Sequence, residues 1–268
     1  MLTRHGFAER FGTNAVIGMV HVAALPGSPR YGGSMQPIVD AALRDARALR
    51  EGGCDAIAFE NFGDRPFFKE SVPAETVAGL TRVIVDVISD VGMPFGVNVL
   101  RNDAASAIAI AAATGASFIR VNVHTGTMLT DQGIIEGRGA ETLRKRAALA
   151  PELLIFADHM VKHAIPMVSV DEAQAAKDLR ERGLADAVII SGAETGAEPD
   201  RDSFARLRAA LTGTPILIGS GLTAANAGTF ADADGAIVGT SIKIDGRVEA
   251  PVDPDRVARL VAAFKRAR

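Results

Sequence analysis

The stretch FIRVNVH, residues 118–124, carries two chemistries on alternate positions. Ile119, Val121 and Val123 share one parity; Arg120, Asn122 and His124 share the other. A period of two is that of a β-strand, whose successive side chains leave opposite faces. The branched apolar set needs a covering layer of helices. The polar set then has to look into a common interior and toward its mouth.

Seven further short runs of this kind flank it. They are AVIGMVH from residue 15, AIAFEN from 56, PFGVNVL from 94, LLIFAD from 153, AVIISG from 187, PILIGSG from 215 and GAIVGTS from 235. Between them lie Ala-rich segments of helical periodicity, punctuated by Gly and Asp. Residues 40–53 end on a Gly pair, 171–183 run from Asp to Gly, and 253–268 place acids first and bases last. The alternation predicts parallel strands covered by helices. Eight such units in 268 residues point to an α/β fold, a single (β/α)8 TIM barrel, over an open doubly wound sheet. Residues 1–14 read as an N-terminal extension and 15–268 as the barrel.

Bulk composition narrows the function. The net charge is −3, so no basic excess argues for nucleic acid. The single cysteine, Cys54, excludes an internal disulfide and fits a reducing, cytoplasmic setting as a small buried residue. The N-terminus lacks the apolar core of a secretory signal, and the apolar-looking span from 104 to 123 is broken by Gly115 and Arg120. It reads as helix, turn and strand, with no membrane insertion. Homo-oligomerisation stays open.

The parity rule can be carried around the barrel. It turns Met19 and His21 inward on the first strand, Glu60 on the second, Asn98 on the third, Arg120, Asn122 and His124 on the fourth, and Phe156 with Asp158 on the fifth. The expected catalytic ring is therefore His21, Glu60, Asn98, Arg120, Asn122, His124 and Asp158, with Arg101 and Asn102 on the next loop. Arg120 would pair with Glu60 or Asp158. Lys162 is a further candidate, to neutralise an anion or form a Schiff base, although a solvated surface lysine is the simpler reading.

Strand-to-helix loops are long and Gly/Pro-rich, and such loops carry the chemistry of barrel enzymes. The loop 124–139 is a candidate lid. After the seventh and eighth runs, Gly219, Ser220, Gly221, Gly239, Thr240 and Ser241 are small enough for backbone N–H groups to approach a phosphate. The simpler alternative is that these glycines only permit tight turns. GSGLTA also matches a dinucleotide fingerprint, but it comes at the seventh strand, where such a domain would be expected to begin. Thr195 and Gly196 could extend the anion site. His159 and His163 would share a face if their segment were helical, as zinc ligands do. A divalent metal ion held by Glu60 or Asp158 with substrate oxygens is the other metal option.

The ordered set HVAALPGSP, ENFGDRPF, GVNVLRND, IRVNVHTG, ADHMVKHA, SGAETG, GSGLTAAN and ADGAIVGTSIK resembles the BtpA family, named for photosystem I biogenesis. The resemblance spans about residues 15 to 265. It implies a TIM barrel of the ribulose-phosphate-binding type. Ala24 stands where Pro is expected and His159 where an apolar residue is; Asp158, Lys162 and His163 match. The combined expectation is an enzyme acting on a small phosphorylated metabolite (sugar-phosphate or nucleoside-related) by acid/base chemistry, as an isomerase, lyase or hydrolase. The competing expectations are a non-catalytic assembly or stability factor for a membrane complex such as photosystem I, and a ligand-sensing barrel.

Overall fold

The computed structural model describes residues 1–192 and 197–267. Eight parallel strands close into a barrel. They are β1 (Ala15–His21), β2 (Ala56–Glu60), β3 (Phe95–Asn98), β4 (Phe118–Val121), β7 (Leu154–His159), β9 (Ala187–Ile190), β10 (Ile216–Ile218) and β11 (Gly235–Val238). Each of the eight runs read from sequence supplies one of them. The ring closes through β1 against β11, with Ile17 opposite Ile237, and β1 against β2, with His21 opposite Glu60.

The two parities separate into two cores. Val20, Ile57, Phe59, Val97, Ile119, Val121, Ile155, Val188 and Ile218 pack outward against the helices. Ile17, Met19, Ala56, Ala58, Phe118, Phe156, Ile189, Leu217 and Ile237 fill the barrel interior. Gly96 on β3 belongs to this second set, because a Cβ there would lie 2.2 Å from the Phe118 ring.

Between β1 and β2 runs α2 (Gln36–Glu51), and α3 (Ala74–Val91), α4 (Ala104–Thr114), α5 (Gly139–Leu149), α6 (Glu172–Glu181), α7 (Arg201–Ala210) and α8 (Pro254–Arg266) follow later in the chain. Asp103, Asp171, Asp200 and Asp253 cap the starts of α4, α6, α7 and α8 with their side chains. Gly92 and Gly115 end α3 and α4 in the left-handed conformation. The N-terminal extension is itself structured. Helix α1 (Arg4–Phe11) covers the bottom of the barrel and drives Phe7 and Phe11 against Phe118 and Phe156.

Aspartates just before three strands tie the bottom rim. Asp55 accepts from the Val16 N–H, Asp186 from the Ile155 N–H and Asp234 from the Ile216 N–H. Each thereby satisfies a donor at the start of a neighbouring strand. Arg146 pairs with Asp186, and Arg208 with Asp234.

The expected lid loop is not irregular. Strands β5 (Thr127–Thr130) and β6 (Gly133–Glu136) form an antiparallel hairpin, and β8 (Ala164–Pro166) adds on the other side of β5. Beneath this small sheet Met128, Ile135, Val123 and Val161 form their own apolar cluster.

Candidate active site

A cavity of about 610 Å3 opens at the C-terminal end of the barrel strands. Its wall includes His21, Glu60, Arg120 and Asn122 from the expected ring, together with Arg101 and Lys162. Gly219, Ser220, Gly221, Gly239, Thr240 and Ser241 all line it on the opposite loops. The strands after which these residues come are adjacent, so two stretches distant in sequence meet at one wall.

Three members of the expected ring lie elsewhere. Asp158 is sealed under the floor with both carboxylate oxygens occupied. Arg120 donates to it at 2.8 and 3.0 Å, and Asn122 at 2.9 Å. A carboxylate so engaged holds Arg120 and Asn122 in place and cannot reach a ligand as acid or base. Asn98 is buried beside it, donating to the Arg120 carbonyl and to Asn122 Oδ1 at 3.1 Å each. His124 leaves the barrel altogether. Strand pairing on β4 stops at Val121, and alternation loses its meaning where the ladder ends. The His124 Nε2 instead lies 2.7 Å from the Gly183 carbonyl oxygen. Asn102 braces the same loop through the Val123 backbone.

The condition for a shared histidine face, a helix over residues 159–163, is not met. His159 ends β7, and Met160 and His163 have φ of 51° and 56°, so no helix places the two histidines on one face. Among the described residues no group of three or more His, Cys, Asp or Glu is arranged to hold a metal ion. Thr195 and Gly196 fall outside the described residues.

Among the described residues the wall carries more cations than anions: Arg65, Arg101, Arg120 and Lys162 against Glu60 and Asp131. Burial pushes the Glu60 carboxyl up from its ordinary range, against the pull of Arg120, Lys162 and Arg101. Burial and the cations Lys243, Lys162, Arg120 and Arg65 hold His21 well below the usual histidine value, so it is neutral at pH 7. Its Nε2 is 3.8 Å from Glu60 Oε2. Burial, then Arg120, lowers the Lys162 ammonium to about 8. Cys54 is buried away from the site and pushed up to about 12, the behaviour of an inert core thiol.

The small residues do different jobs. The Gly219 N–H donates to the Ile190 carbonyl, and a Cβ there would sit 2.3 Å from Ile189, so Gly219 supplies space and no free donor. Gly221 has φ of 74°, and a Cβ there would lie 2.2 Å from the Ala197 carbonyl oxygen. Gly239 makes room for His21, whose Cε1 would be 2.9 Å from an added Cβ.

Several wall residues were not singled out by the sequence reading. Phe62 stacks on His21 with ring centroids 4.6 Å apart, and the Arg65 guanidinium lies 4.6 Å over the Phe62 ring. Phe67, Asp131 and Thr223 also line the cavity. The stretch ENFGDRPFF did carry a signal, since three aromatics and an arginine in a Gly/Pro-rich strand-to-helix loop have no helix face to cover.

Comparison with known proteins agrees with this architecture. The chain is 45% identical to the photosystem I biogenesis protein BtpA of Synechocystis, over 94% of this chain and 88% of that protein. It is 46% identical to an uncharacterized protein of Thermococcus kodakarensis, over 96% and 98% of the two chains. Among solved structures it resembles orotidine 5'-phosphate decarboxylase from Pyrococcus horikoshii, with a TM-score of 0.58 at 14% identity over 93% of this chain and 99% of that one. N-(5'-phosphoribosyl)anthranilate isomerase from Pyrococcus furiosus gives 0.55 at 13% identity, over 94% and 98%. At such identities the likeness shows the barrel fold alone. The sequence profile of the BtpA family matches residues 12–266, and the chain belongs to the BtpA family.

Proposed function

We propose that this protein is an enzyme of the cytoplasm acting on a small phosphorylated metabolite. The observation that carries the reading is one wall built from Ser220, Gly221, Thr240 and Ser241 facing a cavity whose charged lining is net cationic. Two loops of small residues admit a tetrahedral anion, and Arg65, Arg101 and Lys162 supply the field that favours it. A cavity of about 610 Å3 suits a sugar-phosphate or nucleotide-sized ligand. Two barrel enzymes of similar fold bear names that specify phosphorylated ligands, which supports the same class.

Acid/base work falls to Glu60, whose carboxyl burial raises above its ordinary range, with neutral His21 and Lys162 beside it. Arg120, fixed by Asp158, faces the cavity as a charged donor for a developing oxyanion. A thermal-shift panel of phosphorylated metabolites tests the reading. A ligand of this class should raise the melting temperature in a concentration-dependent way. A panel with no shift, inorganic phosphate included, would remove the anion pocket.

A second reading, a non-catalytic assembly or stability factor for a membrane complex, draws on a different surface. Leu129, Ile134 and Ile165 are paired across β5, β6 and β8 and are 51%, 41% and 67% exposed. They make one apolar face beside the mouth, of the kind that marks interaction sites. The name of the Synechocystis relative fits such a role. No helix among the described residues is long and apolar enough to cross a membrane. A Glu60→Gln variant that folds and fully supports the cellular role would favour this reading over catalysis.

A further inference from the structure

Lys162 is set apart from the other lysines with described partners. Lys243, also buried, is paired with Asp45 at 3.1 Å, and Lys265 with Asp55 at 2.7 Å. Lys162 is half-buried, lines the cavity, and makes no ion pair within 4.0 Å among the described residues. The charges that act on it are the cations Arg120 and Arg101 and the carboxylates Glu60 and Asp158. The backbone around it is held in an uncommon shape. Met160 and His163 both have positive φ, a conformation disfavoured for residues with side chains. Arg101, on the loop after β3, donates to the Lys162 carbonyl at 2.7 Å and braces that shape. Strained backbone that delivers one amine into a cavity is what a positioned reactive group requires.

We propose that Lys162 is a nucleophile that forms a Schiff base, and that the ligand of this site is a phosphate ester carrying an aldehyde or ketone. The class of the ligand rests on the phosphate reading above; the lysine assignment does not. Burial, then the neighbouring guanidinium groups of Arg120 and Arg101, bring the amine to about 8, so an appreciable fraction is unprotonated at neutral pH. The neutral amine attacks the carbonyl carbon and a C–N bond forms. The Glu60 carboxyl gives its proton to the carbonyl oxygen, then recovers one from the new ammonium nitrogen. It returns that proton to the hydroxyl group, the C–O bond breaks, and water leaves. The products are a protonated imine, water and the Glu60 carboxylate. Of the two hydrogens in the departing water, one comes from the amine and one from Glu60. Arg120 is placed to stabilise the oxyanion before it is protonated.

Reductive trapping tests this. The full-length protein is incubated with glyceraldehyde 3-phosphate and sodium cyanoborohydride, then mapped by peptide mass spectrometry. The expected result is a single triose-phosphate adduct on Lys162, formed at least about tenfold faster than on Lys69 or Lys265, since the site supplies both an activated amine and an acid. Lys162→Arg, which keeps the charge, should fold and lose the adduct. Glu60→Gln should slow it and not abolish it. Labelling of Lys162 no faster than that of Lys69 would overturn the proposal, even where thermal shift shows the phosphate ester bound. Equal labelling by glyceraldehyde without its phosphate would leave Lys162 as the nucleophile and remove the phosphate wall instead.

Discussion

The two ends of this barrel are built from the same strands and have opposite chemistries. At the bottom, β4 and β7 present Phe118 and Phe156, stacked 4.5 Å apart and closed off by Phe7 and Phe11 from α1. Two residues further along each strand, at the same inward parity, stand Arg120 and Asp158. One layer is a dry aromatic plug and the next an ion pair with 3% and 0% of its side chains exposed. The plug supplies the apolar burial that makes the ion pair tolerable, because two desolvated charges rarely stabilise a fold on their own. The mouth above therefore holds less-satisfied groups, Glu60, His21 and Lys162, on a rigid base.

Four substitutions probe this division. The largest effect is expected for Asp158→Ala, which leaves the Arg120 guanidinium buried without its partner. A loss of about 4 kcal/mol by urea unfolding is expected, together with loss of phosphate-ester binding. A stable variant that still binds would show that the floor is not held by this pair. Next comes Phe156→Ala, with a cavity cost of about 3 kcal/mol. If the two ends are separate, its ligand-induced rise in melting temperature survives; loss of that rise would couple plug to mouth.

The third concerns pH. Lys162 titrates at about 8 in the folded protein against an ordinary value of 10.5. Below about 8 it is charged in both states, at a cost in the folded one. Between about 8 and 10.5 the unfolded chain binds more protons, so stability rises with pH across that window. Lys162→Met removes the cost. It should be more stable than the parent at pH 7 by ~1 kcal/mol, a figure discounted for partial solvent exposure, with the advantage vanishing toward pH 10.5. A constant difference across this range would mean that Lys162 is not desolvated. The smallest effect belongs to Ile165→Gln on the exposed face. Its unfolding free energy should stay within about 0.5 kcal/mol of the parent and its ligand binding should not change. If the cellular role nonetheless fails, that face is an interface.

Much of this layout was legible in the chain itself. Alternation in FIRVNVH and its counterparts assigns inside and outside along every barrel strand, and the structure sorts Val97, Ile119 and Val121 from Phe118 and Phe156 accordingly. Glu60, His21 and Arg120 reach the mouth by the same rule, and the small residues after β10 and β11, read from their place in the strand-to-helix loops, line it too. His124 departs because the rule holds only while strands pair. Asp158 departs for another reason: parity gives direction but not depth, and one layer separates a ligand contact from a group that braces it. The plugging role of α1 was hidden because its two phenylalanines have no meaning until the barrel offers them an open end.

The sequence by itself determined a local periodicity, and with it the barrel, the inward face of each strand and the loops that carry small residues. That follows because side-chain direction in a strand depends only on position modulo two. Only the tertiary structure decided which inward groups neutralise one another and which are left facing the cavity. Pairing of Arg120 with Asp158, and the lack of such an ion pair for Lys162, depend on angular position around a closed ring, which no linear spacing encodes.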